Sequence, residues 1–248
     1  MAANKTQSEA ARLDGIARHS VYGVGANAAM VRYSFEVVRR FVRPGAILEL
    51  GPAEGIMTER LAELGQPLTV VDGSRRFCDQ LRRRLPQADV VCSLFEQYRP
   101  RRRFTTIVLG HVLEHVAAPG ALIRRAARWL EPEGRIFAAV PNCRSVHRQA
   151  AVLMGLLRDE QAMSELDRRH GHRRVFSPES LRRQFAVPEL ELELFGGYWL
   201  KPLSIRQIEE SWTPEMLGAF MRLGERYPDI AAEIYVVARR ARPAARPR

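Results

Sequence analysis

The stretch ILELGPAEG, residues 47–55, decides how this chain is read. It begins as a short apolar strand and carries an acidic residue, Glu49, near its end. It then turns through Gly51 and Gly55 into a helical pattern, IMTERLAELG (56–65), which stops on Gly65. Strand, glycine turn and helix together open a βαβ unit, and open α/β sheets bind ligands at the carboxyl ends of their strands. Small residues in such a turn let the backbone approach a ligand closely. The next strand, LTVVD (68–72), delivers Asp72 into the neighbouring turn. A carboxylate there suits the two hydroxyls of a ribose, since it accepts a hydrogen bond from each. The competing reading is that Asp72 merely caps the helix beginning at residue 75.

The order of residues in the turn narrows the ligand. Dinucleotide sites read G-x-G-x-x-G and hold a pyrophosphate on a helix N-terminus. Here the glycines are spaced G-x-x-x-G, and Glu49 stands two positions before the first of them. Its charge repels a pyrophosphate and favours a cationic ligand, such as an aminoacyl group attached to a sulfonium.

Outward from this turn the alternation continues. RRFCDQLRRRL (75–85) reads as a helix stopped by Pro86, and ADVVCSLF (88–95) and FTTIVLG (104–110) read as strands. GALIRRAARWLEPEG (120–134) reads as a helix and RIFAAVPN (135–142) as a strand. Strands separated by helices of this length predict a mostly parallel sheet covered on both faces. Before the turn, the first 20 residues are polar and Ala-rich, and 21–42 reads as a helix broken by Pro44 and Gly45. After residue 142 the pattern loosens: a helix over 146–157, a charged loop over 164–177, a Ser-capped helix over 177–185, a strand over 190–200, helices over 206–227 and a last strand over 231–240. The expected fold is therefore α/β, Rossmann-like and doubly wound. It has a mostly parallel seven-stranded sheet with an antiparallel last strand, N-terminal helices, and a helical insertion before the last strand. The division is an N-terminal lid (1–42), a main domain (43–240) with substrate-specificity elements over 164–229, and a disordered tail (241–248).

Bulk composition limits the function classes. The 248 residues suit one large domain, and 46% hydrophobic with 27% charged residues is ordinary for a globular protein. No apolar run is long enough to cross a membrane, and the N-terminus has no secretory h-region. Cys78, Cys92 and Cys143 are too few and scattered for a disulfide framework or a four-cysteine zinc site, which favours reduced thiols and a cytoplasmic location. The net charge of +11 comes from arginine and keeps a nucleic-acid partner in view. The arginine triplets alternate with apolar positions and lack interleaved aromatics, which argues for solvated helix faces.

Several blocks in register carry a family resemblance: ILELGPAEG, VVDGS (70–74), VCSLFEQY (91–98) and FTTIVLGHVLEHV (104–116), followed by LIRRAARWLEPEGRIFAAVPN (122–142). Together they resemble the class I S-adenosylmethionine (SAM)-dependent methyltransferases over roughly residues 30–142. The resemblance implies SAM as cofactor and S-adenosylhomocysteine (SAH) as product. It implies that Glu49, Gly51 and Gly55 line the methionine part, and that Asp72 holds the ribose with Gly73 and Ser74 in its turn. Leu94 and Phe95 would pack near the adenine, Phe95 alternatively being core, and Gly110, His111 and Val112 would pass beside the sulfonium. Tyr33 and Tyr22 fall where such families often carry a lid, as cofactor or substrate contacts or as plain core. Two positions depart from the family pattern. Ala53 replaces the middle glycine, which is tolerable if its φ is negative, and Thr105 replaces the acidic residue that often opens the fourth strand.

Methyl transfer from a sulfonium is an in-line displacement, so the protein must align donor and acceptor and exclude water. A base matters where the acceptor starts protonated, and histidine suits that task. The candidates are His111, after the fourth strand, and His170 or His172 in the loop DRRHGHRR. His115, in the LEHV block, reads as structural. His170-x-His172 has the look of a metal pair but no third or fourth ligand is evident, so no metal is expected. Arg173 and the segment GGYWLKPLS (196–204), with Tyr198, Trp199 and Lys201, are candidate substrate contacts; a core role for those aromatics is the alternative. The pattern over HGHRR and GGYWLKP looks like methyltransferases of sugar and natural-product pathways. The expected function is methylation of O or N on a small polar acceptor. An RNA or protein methyltransferase with a contiguous basic cleft, or a non-catalytic SAM-binding module, are the alternatives. No membrane partner is expected, and homodimerisation is left open.

Overall fold

A computed structural model of the protein describes residues 2–18, 20 and 22–241. The tail expected to be disordered lies outside them from residue 242 on. Two helices lead in, α1 (Ala2–Arg18) and α2 (Gly25–Val38). The alternation then runs β1 (Ile47–Leu50), α3 (Ile56–Ala62), β2 (Leu68–Asp72), α4 (Arg75–Arg84), β3 (Asp89–Cys92), β4 (Phe104–Gly110), α5 (Pro119–Trp129) and β5 (Leu130–Pro141). The last third contributes α6 (Val146–Leu153), α7 (Glu165–Arg169), α8 (Pro178–Gln184), β6 (Leu190–Tyr198), α9 (Ile205–Ser211), α10 (Pro214–Arg226) and β7 (Glu233–Arg240).

The strands form one seven-stranded sheet in the order β3-β2-β1-β4-β5-β7-β6, as the expected architecture requires. Pairings among β1 to β5 are parallel, and β7 is antiparallel to both β5 and β6. Side chains alternate across the sheet. Leu48, Leu50, Ile107 and Leu109 face α5 and α8, packing on Leu122, Ile123 and Leu181. Ile47, Val70, Val108 and Phe137 face the other layer, with Met30, Val37, Leu61 and Leu81. Both layers cover the sheet, which is why every position of β1 and β2 is buried. Successive crossovers reverse direction between β1 and β4, and a crevice opens there at the strands' carboxyl ends.

Three local expectations change. The helix read over 120–134 ends at Trp129, and β5 begins at once at Leu130. Pro132 explains this, because the residue before a proline is driven to extended backbone. The charged loop over 164–177 contains α7, opened by a reciprocal capping box between Ser164 and Asp167. The strand expected to reach residue 95 ends at Cys92, since β3 is an edge strand and the chain leaves it to pass over the crevice.

Candidate functional site

The crevice is a cavity of about 540 Å³, within the range of small-molecule sites. Its floor is the β1–α3 turn. Gly51 (φ 69°) and Gly55 (φ 85°) both take the left-handed conformation there. A Cβ on Gly51 would lie 2.7 Å from Val112 Cγ2. Ala53 also has positive φ, at 48°, which overturns the expectation of a negative value. The turn needs left-handed backbone at three of five positions, and the alanine accepts strain of about 1–2 kcal/mol to supply one of them.

Glu49 is buried at the end of β1 and lines the cavity, and its Oε2 has no aligned hydrogen-bond partner among the described residues. Burial pushes its carboxyl up to about 8; the Thr58 hydroxyl pulls it back and the Asp72 charge adds to the rise. A buried acid without a partner is a site prepared for a cation. Asp72 lines the cavity at the end of β2. One of its oxygens accepts the Ser74 N–H at 2.7 Å. The N-cap of α4 is Ser74, whose Oγ accepts from Phe77 N, so Asp72 does not serve as that cap. Burial pushes the Asp72 carboxyl up to about 7, against hydrogen bonds from the backbone of Ser74, Ala53 and Gly73. Leu94 and Phe95, just past β3, and Leu13 of α1 close the apolar end; a Cβ on Gly73 would meet Leu13 Cδ1 at 2.5 Å and Leu94 Cδ2 at 2.9 Å.

The opposite end is polar. His111 follows β4 with φ 56°, a strained value for a non-glycine residue. Its Nδ1 lies 3.5 Å from Glu114 Oε1 and its Nε2 3.5 Å from Glu233 Oε2. Burial disfavours its charged form, but Glu233 and Glu114 outweigh this and its pKa is raised. Burial likewise works to raise Glu114, yet the His111 contact and the His115 and His172 rings hold it down at about 2. The Tyr22 ring sits 5.6 Å from the His111 ring and 6.0 Å from that of His170, so the three rings form one wall. Arg173 donates to Glu9 of α1 at 3.0 Å and so ties that helix across the cavity.

Most of the residues singled out in the sequence thus meet in one place. Tyr22, Glu49, Gly51, Gly55, Asp72, Gly73, Ser74, Leu94, Phe95, Gly110, His111, Val112, His170 and Arg173 all line the cavity. Five lie outside that lining. Tyr33 points to the far side of α2, where its hydroxyl donates to Glu225. Tyr198 and Trp199 are fully buried among Met30, Met221 and Tyr235. The reason is topological: β6 is an edge strand, three places from β4, and α10 covers its end so closely that a Cβ on Gly224 would lie 2.3 Å from Trp199 N. Lys201 stacks its ammonium 5.0 Å from the Trp199 ring centroid. His172 lies beneath the lining, 3.3 Å from Asp167. Conversely, the sequence reading passed over Glu9, Arg12, Leu13 and Ile16 of α1, which all line the cavity. Their i, i+3, i+4, i+7 spacing marks one helix face and was a usable signal.

The chain is similar to known proteins over most of its length. The family model described as methyltransferase domain matches residues 28–193. A ubiquinone biosynthesis O-methyltransferase of Idiomarina loihiensis is 27% identical over 164 residues, covering 63% of this chain and 66% of that protein, just under two thirds of its length. The enzyme of the same name from Xanthomonas oryzae pv. oryzae is 26% identical over 179 residues, 69% of this chain and 73% of its own. Among solved structures, the CcbJ methyltransferase from Streptomyces caelestis superposes with a TM-score of 0.59 at 17% identity, covering 85% of this chain and 95% of that one. The N-methyltransferase NodS from Bradyrhizobium japonicum WM9, solved with SAH, gives 0.57 at 14% identity and 88% coverage of each chain.

Proposed function

The chain belongs to the methyltransferase domain family as a SAM-dependent enzyme of class I, and on that premise we propose that it methylates a hydroxyl oxygen of a small organic acceptor. The observation that carries the oxygen assignment is the His111 imidazole, facing the cavity between two carboxylates where the acceptor must enter. A hydroxyl loses its proton on methylation, and a positioned imidazole is suited to take it. The names of the O-methyltransferase relatives support the same choice.

The residues fit the cofactor. The unpartnered Glu49 oxygen would face the amino group, Asp72 the ribose hydroxyls, and Leu94 with Phe95 the adenine, while Gly51 leaves the backbone bare for close approach. Bound SAM supplies an electrophilic methyl on a positive sulfur. The protein's part is to orient the acceptor, hold its proton at His111 and keep water out. Helix α1 serves as the lid, latched by the Arg173–Glu9 pair. The cavity mixes charges, Glu9, Glu54 and Glu96 with Arg12, Arg169 and Arg173, which favours a small acceptor over a nucleic-acid backbone. No helix among the described residues is long and apolar enough to cross a membrane. The decisive assay incubates the protein and SAM with panels of phenols and catechols, sugars, and amines, and locates the methyl by mass spectrometry. Transfer to oxygen is expected; transfer confined to amines overturns the assignment.

The raised carboxyls predict a pH signature. Ligand binding needs Glu49 and Asp72 ionised, but burial keeps them protonated below about 8 and about 7 in the free protein. SAH affinity should therefore rise with pH through that window and level off above it, with protons released on binding, as calorimetry in buffers of different ionisation enthalpy would measure. Stability of the free protein runs the other way. Both folded pKa values exceed their ordinary values of 4.5 and 3.8, so this contribution is complete only below about pH 4, is lost progressively as pH climbs from there to about 8, and is absent above it. A free protein whose melting temperature climbs over that window would contradict the assignment.

A further inference from the structure

Behind the His111 wall lies a cluster of which the proposed methyl transfer employs only Glu114, as a neighbour of His111. Glu114, His115 and His172 each present one donor atom, and the three donors lie within 4.8 Å of one another. We propose that these residues bind a first-row transition-metal dication, one per chain, at the inner wall of the cavity.

The case rests on unpartnered atoms. Glu114 Oε2 and His172 Nε2 are buried without an aligned hydrogen-bond partner among the described residues, while Glu114 Oε1 and His172 Nδ1 meet only His111 at 3.5 Å and Asp167 at 3.3 Å. The side chains are only 1% and 4% exposed. Leaving so many buried polar atoms unsatisfied is costly, and a cation satisfies them together. The donors are also held in place. Arg173 N donates to Glu114 O at 2.8 Å, and Arg173 Nε to His115 O at 2.8 Å, which pins the loop bearing His172 to the segment bearing the other two. The Asp167 carboxylate lies 3.3 Å from His172 Nδ1. It orients the ring and leaves Nε2 as the donor, an arrangement typical of metal-bound imidazoles.

The donor set selects the ion. Two imidazoles and one carboxylate suit zinc or ferrous iron and are poor for magnesium or calcium, which prefer all-oxygen shells. With metal–ligand bonds near 2.1 Å, the donors must draw in by up to about 1 Å, within reach of side-chain rotation. Three protein ligands leave positions open, and His115 itself lines the cavity, so those positions face the acceptor's space. The two histidines of His170-x-His172, from which no metal site was expected, part in the fold. His170 stays in the cavity wall against Tyr22, while His172 turns inward until its ring is 4.8 Å from that of His115.

The test uses the full chain, stripped by chelation and titrated with Co²⁺ followed by absorption spectroscopy, and with Zn²⁺ by calorimetry. One ion per chain is expected, with the ligand-field bands of Co²⁺ in a low-coordinate histidine site. His172→Ala and Glu114→Gln should each weaken binding at least about 100-fold, while His170→Ala leaves it unchanged. SAH binding by each variant confirms folding, and His115→Asn replaces any variant that fails that check. Absence of Co²⁺ bands, or loss of affinity in His170→Ala with none in Glu114→Gln, overturns the site. Neither outcome bears on the methyl-transfer reading, which SAH binding and the acceptor assay address separately.

Discussion

Asp72→Ala should lower SAH affinity about 100-fold or more while leaving the protein folded. In the proposed site this carboxylate would accept hydrogen bonds from two ribose hydroxyls, and bonds to a charged acceptor contribute about 1.5–3 kcal/mol each. Ionising a carboxyl whose pKa is pushed up to about 7 offsets part of this near neutral pH, so the lower end of that range is the expectation. Asp72→Asn keeps an oxygen for the Ser74 N–H and should lose about tenfold. Calorimetric titration with SAH measures both. The structure makes this a clean comparison because Ser74, not Asp72, caps α4. If Asp72→Ala lowered the melting temperature by several degrees yet bound SAH normally, the ribose assignment would fail.

Gly51→Val should abolish measurable SAH binding, a loss of more than about 100-fold. The glycine sits at φ 69°, and its missing Cβ would point within 2.7 Å of Val112 Cγ2 and 3.7 Å of Phe95 Cζ, inside the cavity. Backbone strain alone is of order 1–3 kcal/mol, which corresponds to a fall in melting temperature of roughly 2–10 °C for a chain this size. Gly65→Val isolates that term. Gly65 has nearly the same φ, 67°, at the end of α3, with nothing within 4 Å of its Cβ position. It should lose comparable stability and keep SAH affinity. Equal binding by the two variants would remove Gly51 from the cofactor's floor.

The part of the cavity proposed to hold the cofactor was legible because its residues lie in contiguous blocks. Glu49, Gly51 and Gly55 fall within nine residues, and Asp72 ends the next strand, so parallel pairing of β1 with β2 is enough to bring them together. The acceptor half was read less well. Tyr198 and Trp199 carry the composition of a ligand site, yet β6 is an edge strand sealed by α10, and the aromatics fill core instead. Composition does not reveal which strand end is open. For α1, expected as part of an N-terminal lid, the individual cavity residues were passed over for the opposite reason: the face was present in the spacing, but it is set over the crevice by contacts far along the chain, Arg173 with Glu9 and Ser74 with Asp14.

By itself, the sequence determined the α/β order, the doubly wound and mostly parallel sheet, and a glycine turn whose acidic residue favours a cation over a pyrophosphate. These depend on local periodicity, on glycine placement and on a single acidic residue, all readable along the chain. The tertiary structure alone decided that Ala53 takes a left-handed backbone, that His111 is clamped between Glu114 and Glu233, and that His172 joins Glu114 and His115. Each of those depends on groups far apart in the chain converging in a buried space, where the cost of unpartnered polar atoms, not sequence spacing, selects the neighbours.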